Sequence, residues 1–340
     1  MTVSVVIRTC NEAARLRLTL QSLREQPCLT EIVAVDDGSC DATPAVLAEA
    51  AHDLPLVVRR HERPQGRAAA SNAGAAAARG AVILFLDGDT LAGPGMVARH
   101  AALHAAARAT PLVGRGELLH LRCTRFFLDP ETLTPRPEEI ARVARMSPAE
   151  REAARVTAAQ VRNDFPAIAR RAQPGVYPGA GPRLLAELEQ QALRDHPDCT
   201  VLWVAASGSN FSMPRDLFLA SGGFRPDLDI NEHRELAIRL SDAGAAMRLV
   251  ADARSYHLTH RTGWRDPMTD RRWEHVFTAA HPHRGLPYLL LFWAGLADRE
   301  TIPPVLRISS IIELEQAILG RTQLDEATAM RLVDAGRRAA

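Results

Sequence analysis

Over residues 1–90 the apolar positions follow two patterns, short continuous runs and stripes at helical spacing. Ala81–Leu86 (AVILFL) is apolar throughout and lies between Gly80 and Gly88, which predicts a strand buried on both faces. Val3–Arg8 and Glu31–Asp37 are runs of the same kind, and Leu56–Arg59 is a shorter one. Leu16, Leu20 and Leu23 recur at i, i+4 and i+7, so the segment opened by Asn11 and Glu12 reads as a helix with one buried stripe. Thr43 followed by Pro44 has the form of an N-cap and first residue of a second helix, and Ala-rich Arg67–Arg79 forms a third. The order βαβαβαβ predicts a parallel sheet with right-handed crossovers.

Across Gly116–Cys199 the pattern changes, with denser Pro and charge and no strand signal. Ser147-Pro148-Ala149-Glu150 has the form of a capping box and predicts a long helix towards Arg171, with Val156, Val161, Phe165 and Ile168 as a thin apolar face. Pro174–Pro182 reads as a loop and Arg183–Arg194 as another helix, so a helical insertion at the sheet edge is expected. Val201–Ala205 returns as a strand, and Asn231–Ala243 as a helix with Leu236 and Leu240 on one face. Met247–Asp252 is a further strand leading to Tyr256-His257, and the remainder from Trp264 is mostly helical. The expected units are 1–115, 116–200, 201–262 and 263–340.

Composition narrows the class. A chain of 340 residues with 46% hydrophobic and 24% charged residues suits one large α/β domain with additions, or two domains. Net charge of +1 and 5% aromatic content exclude a nucleic-acid-binding surface as the main business of the chain. All 41 basic residues are Arg, so there is neither a P-loop lysine nor a Schiff-base lysine. Five scattered cysteines without CxxC spacing read as reduced thiols, not as a disulfide framework or zinc site. Met1 leads directly into a strand without a signal peptide. Leu286–Ala297 is a 12-residue apolar stretch containing Pro287, short of the roughly 20 residues a bilayer span needs. A cytoplasmic protein is expected, at most peripheral to the inner face of the membrane, with no transmembrane segment.

The chemistry gathers where the strands end. Ligands of open α/β sheets lie outside the carboxyl ends of the strands. Three of the four exits carry groups suited to a nucleotide: Thr9, Asn11 and Glu12; Asp36, Asp37, Gly38 and Ser39; Asp87 and Asp89. Gly88 breaks the alternation, so Asp87 and Asp89 are expected to face one ligand, and two hard carboxylates suit Mg²⁺ or Mn²⁺ carrying a diphosphate. No G-x-G-x-x-G follows the first strand, which argues against a Rossmann dehydrogenase.

Taken in order and spacing, VSVVIRTCNE, VDDGSCDAT, GRAAASNAGAAAARG, FLDGDT, GGF and NEHRELAIRL resemble the family 2 glycosyltransferases of GT-A fold. The resemblance covers Val3–Thr90 and about Val204–His260. It implies an α/β, Rossmann-type, mostly parallel sheet with a helical insertion and a helical C-terminal region. It also implies a metal-dependent inverting transfer of a sugar from a nucleotide diphosphate sugar, foremost a UDP-sugar, to an acceptor hydroxyl. The acceptor stays open among glycan, lipid carrier, peptide and small natural product, and so does the oligomeric state.

By the same resemblance, Thr9 with Asp36 or Asp37 would meet the nucleobase and ribose. Asn11, Glu12, Gly38, Asn72 and Gly88 would belong to the donor site, and Asp87 would lie near ribose and metal. Asp89 and His257 would hold Mn²⁺ or Mg²⁺, with His260 the alternative to His257. Inverting relatives place the base in a Glu-Asp pair that reads Glu232-His233 here. Either residue is a candidate, with Glu235 able to orient His233. Ser71 stands where relatives usually carry Arg, and Arg67 is the candidate replacement at the diphosphate. The segment Gly116–Cys199 is expected to set the acceptor through Tyr177, Phe126-Phe127 and Asn163. Two rivals are a catalytically degenerate sugar-nucleotide-binding or scaffold protein and a sugar-1-phosphate nucleotidyltransferase. The second needs a Gly-rich loop after the first strand and an active-site Lys, and this chain has neither.

Overall fold

Alternate residues of the first strand serve two different cores. In the computed structural model, which describes residues 1–107, 110–174, 184–260, 265–296 and 302–339, β1 (Val3–Thr9) sends Val3, Val5 and Ile7 to one face and Val6 to the other. Later in the chain, the strand Val82–Asp87 divides in the same way, with Val82, Leu84 and Leu86 opposite Ile83 and Phe85. A strand covered on both sides needs apolar residues at every position, hence the unbroken runs. On the first face lie α1 (Ala13–Leu23), whose Leu16, Leu20 and Leu23 are buried as the stripe predicts, and α2 (Thr43–Ala50). The second face carries α3 (Arg67–Ala77). It rests on β1 at Gly74, where a Cβ would come within 2.5 Å of Val6.

The sheet is completed by β2 (Leu29–Asp37), β3 (Leu56–His61), β4 (Val82–Asp87), β5 (Thr90–Ala92) and β6 (Leu112–His120). A short ribbon of β7 (Phe127–Asp129) and β8 (Thr134–Pro135) stands apart from it, and β9 (Phe211–Pro214) and β10 (Ala246–His257) return to it. The strand order is β3-β2-β1-β4-β9-β6-β10-β5. The first four strands pair in parallel, as the alternating pattern predicts. β9 runs antiparallel between β4 and β6, β10 is parallel to β6, and β5 closes the edge antiparallel to β10. Asp89 therefore leaves the middle of the sheet for its far edge, and His257 comes to lie opposite Thr90.

Several sequence expectations are replaced. Leu202–Ala205 is a buried 3₁₀ turn packed on the helix Glu232–Asp242, not a strand. A short apolar run does not distinguish a buried strand from a buried turn. The strand signal does not end at Gly116, since β6 continues to His120, and β10 extends past Asp252 to His257. The single long helix towards Arg171 is three short ones: Pro148–Ala154, Ala158–Asn163 and Phe165–Ala169. Ser147 and Glu150 form the expected capping box, but Thr157 with Gln160 forms a second, and Asp164 caps a third helix with Pro166 in its first turn. Each cap needs a non-helical residue, so the chain bends twice.

Tyr177 and Arg183 lie outside the described residues, and the next helix is Leu184–Asp195. All five cysteines are free thiols. Four helices, Arg272–Ala280, Leu286–Leu296, Ile311–Ile318 and Glu326–Ala339, form the C-terminal region. Leu286–Leu296 is buried as expected, with Pro287 tolerated in its first turn. Among the described residues no helix is long and apolar enough to cross a membrane.

Candidate functional site

At the carboxyl edge of the sheet, some polar residues build the edge and others keep an unsatisfied atom. The Asn11 side-chain oxygen accepts from the N–H groups of Cys40 (2.8 Å) and Asp41 (3.3 Å), tying the first exit to the second. Asp37 meets His61 Nδ1 at 2.6 Å and the N–H groups of Gln65 and Gly66 at 2.8 Å. Gly38, at φ +72°, lies against Arg63-Pro64 so closely that a Cβ would approach within 2.7 Å. Asn72 clamps Phe224, donating to its carbonyl (2.7 Å) and accepting from its N–H (2.8 Å). Of these residues expected at the donor, Asn11, Asp37 and Asn72 spend polar side-chain atoms on the scaffold, and Gly38 is fixed by its packing.

Thr9 and Asp36 differ. They are register partners across β1 and β2, and Thr9 Oγ1 and Asp36 Oδ2 are buried without a hydrogen bond, Arg60 Nε being 3.6 Å from the latter. Buried polar atoms are almost always satisfied in native folds, so two adjacent orphan oxygens suit an incoming N–H or O–H donor. A Cβ at Gly88 would lie 3.0 Å from Thr9 Oγ1, so only glycine keeps that approach open.

Asp87 and Asp89 take different side-chain partners. Asp87 stays at the end of β4, where its Oδ1 accepts from Arg8 Nε at 2.8 Å. Asp89 departs with β5 towards β10, and its Oδ2 lies 2.7 Å from His260 Nε2 and 3.4 Å from His257 Nε2. The sequence offers His257 and His260 as alternatives, and the fold brings both to Asp89. One carboxylate oxygen and two imidazole nitrogens lie within 4.8 Å of one another. This mixed donor set fits Mn²⁺ better than Mg²⁺, which prefers oxygen.

Burial opposes charge on Asp89, but His257 and the hydrogen bonds from both histidines hold its carboxyl well below the usual range. Burial also pushes His257 down, and the Asp89 charge outweighs it, leaving the ring above its ordinary value. His120 stacks edge-on against His257, with Nδ1 atoms 3.3 Å apart, and burial lowers it to about 3. Glu12 lies 3.6 Å from His260 Nδ1 and 3.4 Å from Arg15, and burial raises its carboxyl.

On the other side of Asp87 begins the helix Glu232–Asp242. Glu232 is 1% exposed. Its Oε1 accepts from Arg8 Nη1 at 3.3 Å, and Oε2 has no hydrogen bond, His233 Nδ1 being 3.7 Å away. Burial opposes its charge, yet His233, Arg67 and Arg8 together hold it ionised far below the ordinary range. Burial pushes His233 below its ordinary value, against the pull of the Glu232 charge. Arg234 Nη1, which can only donate, lies 3.0 Å from His233 Nε2. This hydrogen-bond pattern assigns the ring proton to Nδ1, facing Glu232.

Glu235 does not orient His233. It pairs with Arg239 (2.7 Å) and His281 (3.1 Å), because residues two apart on a helix point to different sides. Arg8 is a member of the site that the motifs did not single out. Its only sequence signal is being the one charged residue in an apolar strand. Besides Asp87 and Glu232 it reaches Ser71 Oγ at 3.4 Å. Arg67 is exposed at the start of α3. There it lines a cleft of about 300 Å³ with residues 65–68 and 226–229, Arg272 and Trp273.

Residues 4–115 match the family described as Glycosyl transferase family 2. The chain is 36% identical over 106 residues to "Uncharacterized glycosyltransferase YfnE" of Bacillus subtilis (strain 168), covering 31% of this chain. It thus spans 27% of that relative's length. Among solved structures it is similar to mannosyltransferase PcManGT from Pyrobaculum calidifontis in complex with GDP-Man and Mn²⁺. There the TM-score is 0.51 and the identity 18%, over 99% of this chain and 74% of that one. It is also similar to S. aureus TarS 1–349 in complex with UDP, with a TM-score of 0.52 and 14% identity over 100% and 92% of the two chains. At these identities the likeness establishes a shared fold.

Proposed function

This chain belongs, through residues 4–115, to glycosyl transferase family 2 and has the GT-A fold, and on that premise we propose that it transfers a sugar from a nucleotide diphosphate sugar to an acceptor hydroxyl, metal-dependently and with inversion. The observation that carries this reading is the convergence of Asp89, His257 and His260 at the same sheet edge as a buried, ionised Glu232. Asp89, His257 and His260 would hold Mn²⁺, which supplies positive charge to the departing diphosphate. Thr9 and Asp36 accept hydrogen bonds from the nucleoside, uridine being the first candidate. Glu232 Oε2 takes the proton of the attacking hydroxyl. His233 orients it, since its Nε2 lone pair is engaged by Arg234 and its Nδ1–H faces the carboxylate. Arg67, which lines the cleft, is the candidate to meet the diphosphate.

The segment 116–200 sets the acceptor. Phe127 is buried against Val143 and Ala154, so among the described residues Phe126, flanked by Arg125 and Arg142 at 4.6 and 5.1 Å from its ring, and exposed Asn163 are the candidates for that task, beside Tyr177. The test is release of nucleoside diphosphate from a panel of UDP- and GDP-sugars, with and without Mn²⁺. Turnover should require the metal, and a matched donor at 100 times its dissociation constant should stabilise the fold by about 2.7 kcal/mol. Asp89→Ala should abolish both turnover and the metal dependence of nucleotide binding. A panel without any turnover, or an Asp89→Ala variant with full metal-dependent turnover, would reject the reading.

A further inference from the structure

We propose that Arg8 is the positioning residue of the reaction, joining the donor edge to the base, and that Gly208 keeps open the gap through which the base is reached. The inference rests on the assignment of Glu232 as base. One guanidinium spans the two halves of the site: Nε donates to Asp87 Oδ1 at 2.8 Å, and Nη1 donates to Glu232 Oε1 at 3.3 Å and Ser71 Oγ at 3.4 Å. Asp87 and Glu232 are 145 positions apart in the chain, on a strand end and a helix start that no backbone pairing joins. With Oε1 held by Arg8, the carboxylate cannot rotate without losing a charge-assisted bond, and Oε2, buried and without a hydrogen bond, is held in one orientation.

Nη2 takes part in none of these bonds. It faces Gly208, where a Cβ would lie 3.0 Å from Nη2, 3.5 Å from His233 Nδ1 and 3.6 Å from Glu232 Oε1. The missing side chain therefore leaves a gap bounded by Arg8 Nη2, His233 Nδ1 and Glu232 Oε1, one atom away from the oxygen assigned as acceptor. A hydroxyl entering there can accept from Nη2 while giving its proton to the carboxylate. The sugar–oxygen bond forms as the bond to the diphosphate breaks, and the proton ends on Glu232.

Arg8→Lys, Arg8→Ala and Gly208→Ala test this, with metal-dependent UDP affinity as the measure of an intact donor site. A lysine reaches one carboxylate but not both, and misplacing a reacting group costs roughly 10²-fold. Arg8→Ala should therefore lower kcat by about that factor and Arg8→Lys by less, while UDP affinity falls far less than kcat. Guanidinium ion added to Arg8→Ala should restore part of the rate. The charged groups facing Glu232 are Arg8 from β1, Arg67 from α3 and Arg234 on its own helix, with the titratable ring of His233 beside them. Removing one cation from that set raises the pH at which Glu232 protonates, so the acid limb of kcat should move upward in Arg8→Ala. Gly208→Ala should lower kcat with UDP affinity kept. Wild-type kcat with an unmoved acid limb in both Arg8 variants would overturn the role while leaving the activity standing. A wild type that turns over no nucleotide sugar would reject the functional reading, and this role with it.

Discussion

Glu232 and His233 are neighbours in the chain with different prospects as proton acceptors. The carboxylate has an oxygen without a hydrogen bond, whereas the imidazole lone pair faces a guanidinium that can only donate. Glu232→Gln is expected to lower kcat by roughly 10²–10⁴, the worth of a general base, with nucleotide affinity retained. His233→Ala should cost less, because it removes an orienting contact and leaves the acceptor in place. Steady-state kinetics of the two variants decide it, and a larger loss in His233→Ala than in Glu232→Gln would return the base assignment to His233. The motifs brought these two residues forward together, since adjacency in sequence carries no hydrogen-bond partners. They did not bring forward Arg8, whose importance lies in contacts to residues 79 and 224 positions away.

At the scale of elements, the helix Leu184–Asp195 is tied to the helix Glu232–Asp242 by one buried acid. Glu189 takes Arg115 of β6 at 2.6 Å and Arg234 at 3.2 Å, and Arg234 in turn lies over the Trp293 ring at 5.0 Å. Breaking a buried ion pair from one side leaves uncompensated charge and costs about 3–5 kcal/mol. Glu189→Ala is therefore expected to lower the urea unfolding free energy by about that much, with the Arg115 guanidinium stranded and Arg234 left to its bonds with Val204 and Asn231. A change under about 1 kcal/mol, the worth of a surface pair, would show that water reaches the triad. Helix ends in this region were legible only in part. The Ser147–Glu150 box was readable, but the Thr157–Gln160 box was hidden inside an apolar stripe that continued across it. Periodicity does not register a bend between two helices that bury the same face.

The whole molecule carries an acid-sensitive seam where α4 (Met96–Ala106) packs on the sheet. His100 and His104, one turn apart, both meet Ser212 Oγ, at 2.7 and 2.8 Å, and His100 Nε2 meets Asn210 Oδ1 at 2.8 Å. Burial lowers both rings to about 4 from an ordinary 6.5. Their folded values lie below the unfolded ones, so the unfolded chain binds more protons between pH 4 and 6.5. The stability they contribute is complete above 6.5 and is lost as pH falls through that window. The loss attached to His100 alone is about 3 kcal/mol by pH 4. Urea midpoints measured from pH 8 to 4 should fall across the window, and His100→Gln/His104→Gln should flatten that fall. An unchanged slope in the double variant would place the acid sensitivity elsewhere.

By itself, the sequence determined the parallel half of the sheet, the buried stripe of α1, the carboxylates at the strand exits and the start of the helix Glu232–Asp242. All of these are written in local spacing, where side-chain periods of two and of 3.6 decide which face is buried. Only the tertiary structure decided that β5 crosses to β10, and so that Asp89 finds two histidines while Asp87 turns to Arg8. It also decided that Asn11, Asp37 and Asn72 brace the loops while Thr9 and Asp36 keep unsatisfied oxygens. Whether a polar atom at a strand exit is spent or spare depends on which other loop reaches it. That is set by long-range packing of elements, and no local spacing encodes it.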